Sequence, residues 1–135
     1  MIEIYRRENL CGLLADLKTL MDVCYPRPPQ DVFYKLAEQY RIGFPVYIAC
    51  TEDNRVVGFT YLVLNSKGGT LEALAVHPDF RNIGVAKKLI RLLIEENYGV
   101  IQITTRIPSF FQKFGFREIL NLPDKSCFMI YTNFQ

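Results

Sequence analysis

Apolar positions change their spacing several times along the chain, and each change marks a predicted element. Ile2 and Ile4 alternate with polar neighbours and predict a short first strand. Leu10, Leu13, Leu14, Leu17, Leu20 and Met21 recur at three- and four-residue steps, giving one apolar face to a helix over about 8–23. Tyr25-Pro26-Arg27-Pro28-Pro29 ends it, because proline lacks the N–H that a helix needs. Asp31 to Gln39 predicts a second, shorter helix with Val32, Leu36 and Tyr40 along one side. Strands follow at Val46 to Cys50, Val56 to Leu64 and Leu71 to Val76, separated by the turn runs Glu52-Asp53-Asn54 and Asn65-Ser66-Lys67-Gly68-Gly69. Connections this short predict an antiparallel meander.

His77-Pro78-Asp79 closes the meander, and a helix is predicted from about Gly84 to Asn97. Ala86, Leu89, Ile90 and Leu93 form its inward side, with Lys87, Lys88, Arg91 and Glu95 outward. Val100 to Thr104 then reads as a strand reached by a crossover, which predicts a parallel pair with the third meander strand. Pro108 to Phe114 predicts a short helix ended by Gly115, Phe116 starts another strand, and Cys127 to Tyr131 is the last. No repeat, linker or low-complexity segment interrupts the pattern, so residues 1–135 read as one domain.

Composition narrows the function classes. Half the residues are apolar, enough for a packed core and against disorder. The net charge of +2 is near balance, and Lys87, Lys88 and Arg91 form the longest basic cluster. That is a solvated helix face and not the footprint of a nucleic-acid binder. Cys11, Cys24, Cys50 and Cys127 show neither CxxC pairing nor zinc spacing, so no metal is expected. They read as reduced, mostly buried thiols of a cytoplasmic protein. The first seven residues lack the order of a signal peptide, and no apolar run is long enough to span a membrane.

Candidate chemistry concentrates in Leu71-Glu72-Ala73-Leu74-Ala75-Val76-His77-Pro78-Asp79-Phe80-Arg81-Asn82-Ile83-Gly84-Val85-Ala86. A strand feeds a tight loop that opens a helix, whose first N–H groups lack intrahelical partners and carry the positive end of the helix dipole. Gly84 and the small Ala86 let a phosphate approach the backbone, which suits a pyrophosphate. An ordinary strand-to-helix turn is the alternative reading of the spacing alone. Val76, Pro78, Arg81, Gly84 and Ala86 resemble, in register, the V-x-P-x-x-R-x-x-G-x-G/A motif of the GNAT acetyltransferases. Asn82 departs from the glycine common there, although asparagine tolerates a left-handed backbone. Downstream, Phe110-Phe111-Gln112-Lys113-Phe114-Gly115-Phe116 is similar to that family's short helix ending in Gly-Phe.

The resemblance implies an α/β (α+β) fold, with a mixed, mostly antiparallel central sheet flanked by helices on both faces. It implies acetyl-CoA as co-substrate, with its pyrophosphate on the backbone N–H groups of Arg81, Asn82, Ile83, Gly84, Val85 and Ala86. Backbone groups of Leu74, Ala75 and Val76 would line the pantetheine arm, and one N–H would polarise the thioester carbonyl. Glu72 is the expected base for a directly attacking amine, since many relatives keep a glutamate there. Strand alternation puts Glu72 on the face of Leu74 and Val76; a surface carboxylate is the bland alternative. The family's usual acid is a tyrosine four residues before the Gly of Gly-Phe, where this chain has Phe111. Tyr131, Ser109 or water would then serve, or the thiolate leaves unprotonated, as a thiol of pKa about 8.5 allows. His77, the only histidine, reads as a surface residue of a His-Pro turn, and Cys50 and Cys127 as core rather than nucleophiles.

The acceptor is expected to be a primary amine of a small molecule or amino acid. Thr104-Thr105-Arg106, Phe110-Phe111, Gly115-Phe116 and Leu122-Pro123 are similar to the tail of N-acetylglutamate-synthase-type amino-acid N-acetyltransferases. Arg27, in the connection after the first helix, is a candidate carboxylate clamp, against the alternative of an exposed loop arginine. The alternatives are a protein N-terminal or lysine acetyltransferase and a non-catalytic CoA-binding module. Oligomeric state stays open; strand edges and abundant aromatics are compatible with a homodimer.

Overall fold

The computed structural model describes residues 2–7, 14–24, 46–97 and 99–133. The predicted helix at 31–39, the proline-rich connection with Arg27, and Cys11 lie outside them. Seven strands form one sheet: β1 (Ile2–Arg7), β2 (Val46–Thr51), β3 (Val56–Asn65), β4 (Gly68–Val76), β5 (Gly99–Thr105), β6 (Arg117–Asn121) and β7 (Cys127–Asn133). Their spatial order is β1-β2-β3-β4-β5-β7-β6. Among the described strands only β4 and β5 run parallel; every other neighbouring pair is antiparallel, as the short connections predict for β2, β3 and β4. The hairpin between β3 and β4 is tighter than expected, with Asn65 and Gly68 already paired. Asn65 Oδ1 accepts from the Lys67 N–H at 2.9 Å, so the asparagine side chain makes the turn itself.

Helices cover both faces. On one, α1 (Leu14–Cys24) buries Leu17, Leu20 and Met21 against Val46, Ile48, Phe59, Tyr61, Ala73 and Ala75. On the other, α2 (Val85–Glu96) buries Val85, Leu89, Ile90 and Leu93 across the first four strands. Val85 rather than Ala86 is the deepest residue of its first turn. A Cβ at Gly58 would sit 3.2 Å from Val85 Cγ1, so the bare backbone of β3 lets α2 approach closely. Full burial of a side chain such as Leu89 contributes about 1.5–3 kcal/mol. At the far end of α2, the Asn97 amide donates to Leu93 O at 2.7 Å and to the Tyr47 hydroxyl at 2.9 Å. The short α3 (Pro108–Gln112) follows β5 and buries Phe111 on the same face as α2.

Candidate active site

β4 and β5 pair only over Gly68–Thr70 and Val100–Gln102, although both strands run on. At the paired end the backbones nearly touch: Val100 N–H donates to Lys67 O at 2.7 Å. A Cβ on Gly99 would lie 2.1 Å from that same oxygen. Toward the other end the strands separate, and the direction of β4's amides follows from one bond. His77 N–H donates to Val57 O at 2.8 Å, on the β3 side. Successive residues of a strand present their polar groups to alternate edges. Ala75 therefore faces β3, in line with its pairing to Phe59, while Leu74 and Val76 face the cleft that β5 has left. Of the three residues implied as the lining, two offer amides to the cleft; Ala75 spends its own on the sheet.

Beyond Val76, Pro78–Phe80 form a single 3-10 turn, and Asn82 and Gly84 take positive φ values of 65° and 88°. Asparagine thus performs the backbone role that the sequence departure left to it. Gly84 is the N-cap of α2 and supplies no side-chain bond, so the first amides of the helix keep the orphan character that a bound anion can satisfy. A Cβ built on Gly84 meets nothing within 4 Å. Open space, orphan amides and the helix dipole converge there, and these groups fit a diphosphate. Arg81 departs from its expected backbone role: its N–H closes the turn to Pro78 O at 3.4 Å. Its Nε donates back to Val76 O at 3.0 Å, bracing the loop against β4.

The expected face of Glu72 is corrected by a β-bulge. Tyr61 pairs with Ala73 and Leu62 with Leu71, leaving Glu72 as the extra residue. Leu71, rather than Glu72, joins Leu74 and Val76 in the core beneath α2. Glu72 itself is exposed, two residues from the first cleft-facing amide. Phe111 is buried among Phe110 at 5.0 Å and Phe116 at 5.5 Å, both edge-to-face. Tyr131 lies beside this cluster, 5.4 Å from the Phe116 ring, and its ring is the first thing a Cβ on Gly115 would meet. Ser109 is exposed on α3.

Cys50 and Cys127 are buried in the core, as expected; burial, and next the Glu118 charge, push the Cys127 thiol above its ordinary pKa. Cys24 was not singled out in the sequence. It donates to Val76 O at 3.4 Å across 52 residues of chain, a contact only the fold creates. Burial raises its pKa, with Arg81 opposing. His77 is not a surface side chain: only 15% of it is exposed, with Phe80 edge-on to its ring and Arg55 3.2 Å from Nε2. A cavity of about 620 Å³ is lined by Leu64–Gly68 and Gly99–Val100, at the opposite end of β4 from the loop. The site is therefore defined by backbone groups rather than by cavity size. Among the described residues no cluster of three metal-binding side chains occurs, and no helix is long and apolar enough to cross a membrane.

A family model described as "Acetyltransferase (GNAT) domain" matches residues 43–118, which include the bulge, the cleft-facing strand, the loop and α3. Aminoglycoside 6'-acetyltransferase type Ii superposes with a TM-score of 0.78 at 21% identity, covering 98% of this chain and 96% of that one. An aminoglycoside 6'-N-acetyltransferase complexed with coenzyme A gives 0.78 at 17% identity, covering 98% and 96%. The ribosomal-protein-S18-alanine N-acetyltransferase from Escherichia coli gives 0.77 at 18% identity, covering 96% and 91%. No curated protein sequence matches the chain significantly. With the family matched across strand, loop, α2 and α3, the chain belongs to the GNAT acetyltransferases and is an N-acetyltransferase.

Proposed function

We propose that the protein transfers an acetyl group from acetyl-CoA to the primary amine of a small molecule or amino acid, by direct attack. The observation that carries this reading is the separated end of β4. There the amides of Leu74 and Val76 face away from β3, and the chain leads from them to the unpartnered amides at the start of α2, with open space at Gly84. Acetyl-CoA supplies an activated thioester. The amides of Asn82 through Ala86 and the α2 dipole would hold the diphosphate, while Val76 and Leu74 align the arm. An N–H of β4 would donate to the thioester oxygen where negative charge develops. Glu72 would take the proton from the attacking amine, directly or through water.

Phe111 supports a reaction without a protein acid. Its ring fills the core where a hydroxyl would otherwise stand, and a departing thiolate needs no proton. A cytoplasmic location suits cysteines that carry no paired spacing in the sequence. Fold alone does not choose the acceptor, since a neighbour acting on an aminoglycoside and one acting on a ribosomal-protein alanine superpose equally well. The test is thiol release from acetyl-CoA across free amino acids, polyamines and peptides. Turnover with a free amino acid or polyamine is expected. Turnover on peptides alone would replace this reading with a protein acetyltransferase. Tight CoA binding without turnover on any amine would leave a binding module.

A further inference from the structure

On the other flank of β4 from the cleft, α1 and the start of β3 enclose a separate cavity of about 200 Å³. Asp16, Thr19, Arg55 and His77 line it above an apolar floor that includes Leu20 and Val56. Its hydrogen bonding contains a mismatch. Asp79 N–H donates to His77 Nδ1 at 3.1 Å and caps the 3-10 turn. That bond uses the Nδ1 lone pair, so a neutral ring carries its proton on Nε2. Nε2 stands 3.2 Å from an Arg55 guanidinium nitrogen, which has donors only. Moving the proton to Nδ1 satisfies Arg55 but sets the ring N–H against the Asp79 amide and undoes the cap. Protonating both nitrogens restores the first conflict and adds the second.

Packing holds the two donors together. The Arg55 guanidinium lies 5.6 Å above the Phe80 ring, and that ring meets His77 edge-on at 5.8 Å. A negatively charged oxygen accepting from both Arg55 and Nε2–H removes the mismatch. The surroundings disfavour a plain anion: Asp16 lines the cavity, and an Asp79 oxygen lies 3.8 Å from His77 Nδ1. A second, positive group on the ligand turns Asp16 from a penalty into a partner. Thr19 Oγ1 donates to Ala15 O at 3.0 Å, which leaves its lone pairs to accept. The volume equals about seven waters at about 30 Å³ each, room for a small amino acid together with some of its water.

We infer that this cavity binds a small α-amino acid, with its carboxylate on Arg55 and His77 and its ammonium on Asp16 and Thr19. The inference is independent of the acetyl-transfer reading, because no residue of the cleft takes part. Calorimetry on the full chain with L-alanine, propionate and ethylamine tests it. L-alanine should bind at least about tenfold more tightly than either half-ligand, and Arg55→Gln or Asp16→Asn should each weaken it by about tenfold or more. Both residues are exposed, so the variants should fold. Amide NMR shifts should move at Thr19, Arg55 and His77. No binding by L-alanine, equal affinity for propionate, or indifference to both substitutions would overturn the inference. So would shifts centred on Leu74 and Val76, which would assign the amino acid to the cleft.

Discussion

At one end of β4, Gly68 and Gly99 have no room for a side chain; at the other, Gly84 has nothing but room. A Cβ on Gly68 would come 2.2 Å from Val100 O and one on Gly99 2.1 Å from Lys67 O, both backbone atoms that cannot step aside. The first pair of glycines joins two strands, whereas Gly84 leaves open space beside the unpartnered amides at the start of α2. A positive φ alone does not separate these roles, since Gly84 and Gly99 have values of 88° and 100°. What surrounds the missing Cβ does.

The largest expected effect belongs to the closed end. Gly99→Ala adds left-handed strain to a backbone clash and should cost about 3–5 kcal/mol. The melting temperature should fall by more than about 10 °C. A variant that melts like the parent would show that the β4–β5 junction is not the pinned end. At the open end the expected loss is functional. Glu72→Gln should leave thermal stability unchanged, because the side chain is exposed on a bulge. It should lower kcat/KM by about 100-fold at neutral pH. The deficit should shrink at alkaline pH, as the amine loses its proton unaided. A constant deficit across pH would remove Glu72 as base.

Gly84→Ala sharpens the contrast with Gly99 directly. The backbone strain should cost only about 1 kcal/mol, since the new methyl meets no protein atom. CoA affinity, read by calorimetry, should fall at least about tenfold, because the methyl enters the space over the orphan amides. If stability falls as far as in Gly99→Ala while CoA binding holds, Gly84 is a packing glycine and the two ends are alike.

Much of this contrast was legible in the chain. Alternation and short turns gave the meander, and the crossover gave the parallel pair. Val76, Pro78, Arg81, Gly84 and Ala86 located the loop, because backbone chemistry leaves its mark in glycine, proline and small residues. The bulge at Glu72 was not legible. Inserting one residue into a ladder changes no residue type, yet it put Leu71 on the face assigned to Glu72. Which of the β4 amides face the cleft was not legible either, because edge direction is fixed by a bond from His77 to another strand. Cys24 on Val76 O, and Arg55 on His77, are meetings between distant segments that no local pattern encodes.

The smallest effect concerns the far wall of the open end, where β5 runs into the β6–β7 turn. Thr105 pairs with Cys127, and Arg106 reaches to 3.8 Å from the Asp124 carboxylate. Asp124 accepts from the Ser126 hydroxyl and, at 3.0 Å, from the Ser126 N–H. The hydroxyl first, then that N–H, hold its pKa below the ordinary carboxylate value. A group depressed in this way stabilises the folded state above its unfolded pKa, about 3.9, and loses that contribution as pH falls through the lower folded value. Protection factors of the Thr105 and Cys127 amides should therefore fall in acid before that of Val100, which is tied to Lys67 by a bond without a titrating group. Asp124→Asn should flatten the acid dependence at Thr105 and Cys127 and leave Val100 unmoved. Equal acid sensitivity at all three amides would mean that the two ends of the cleft open as one unit, and that their difference ends at the glycines.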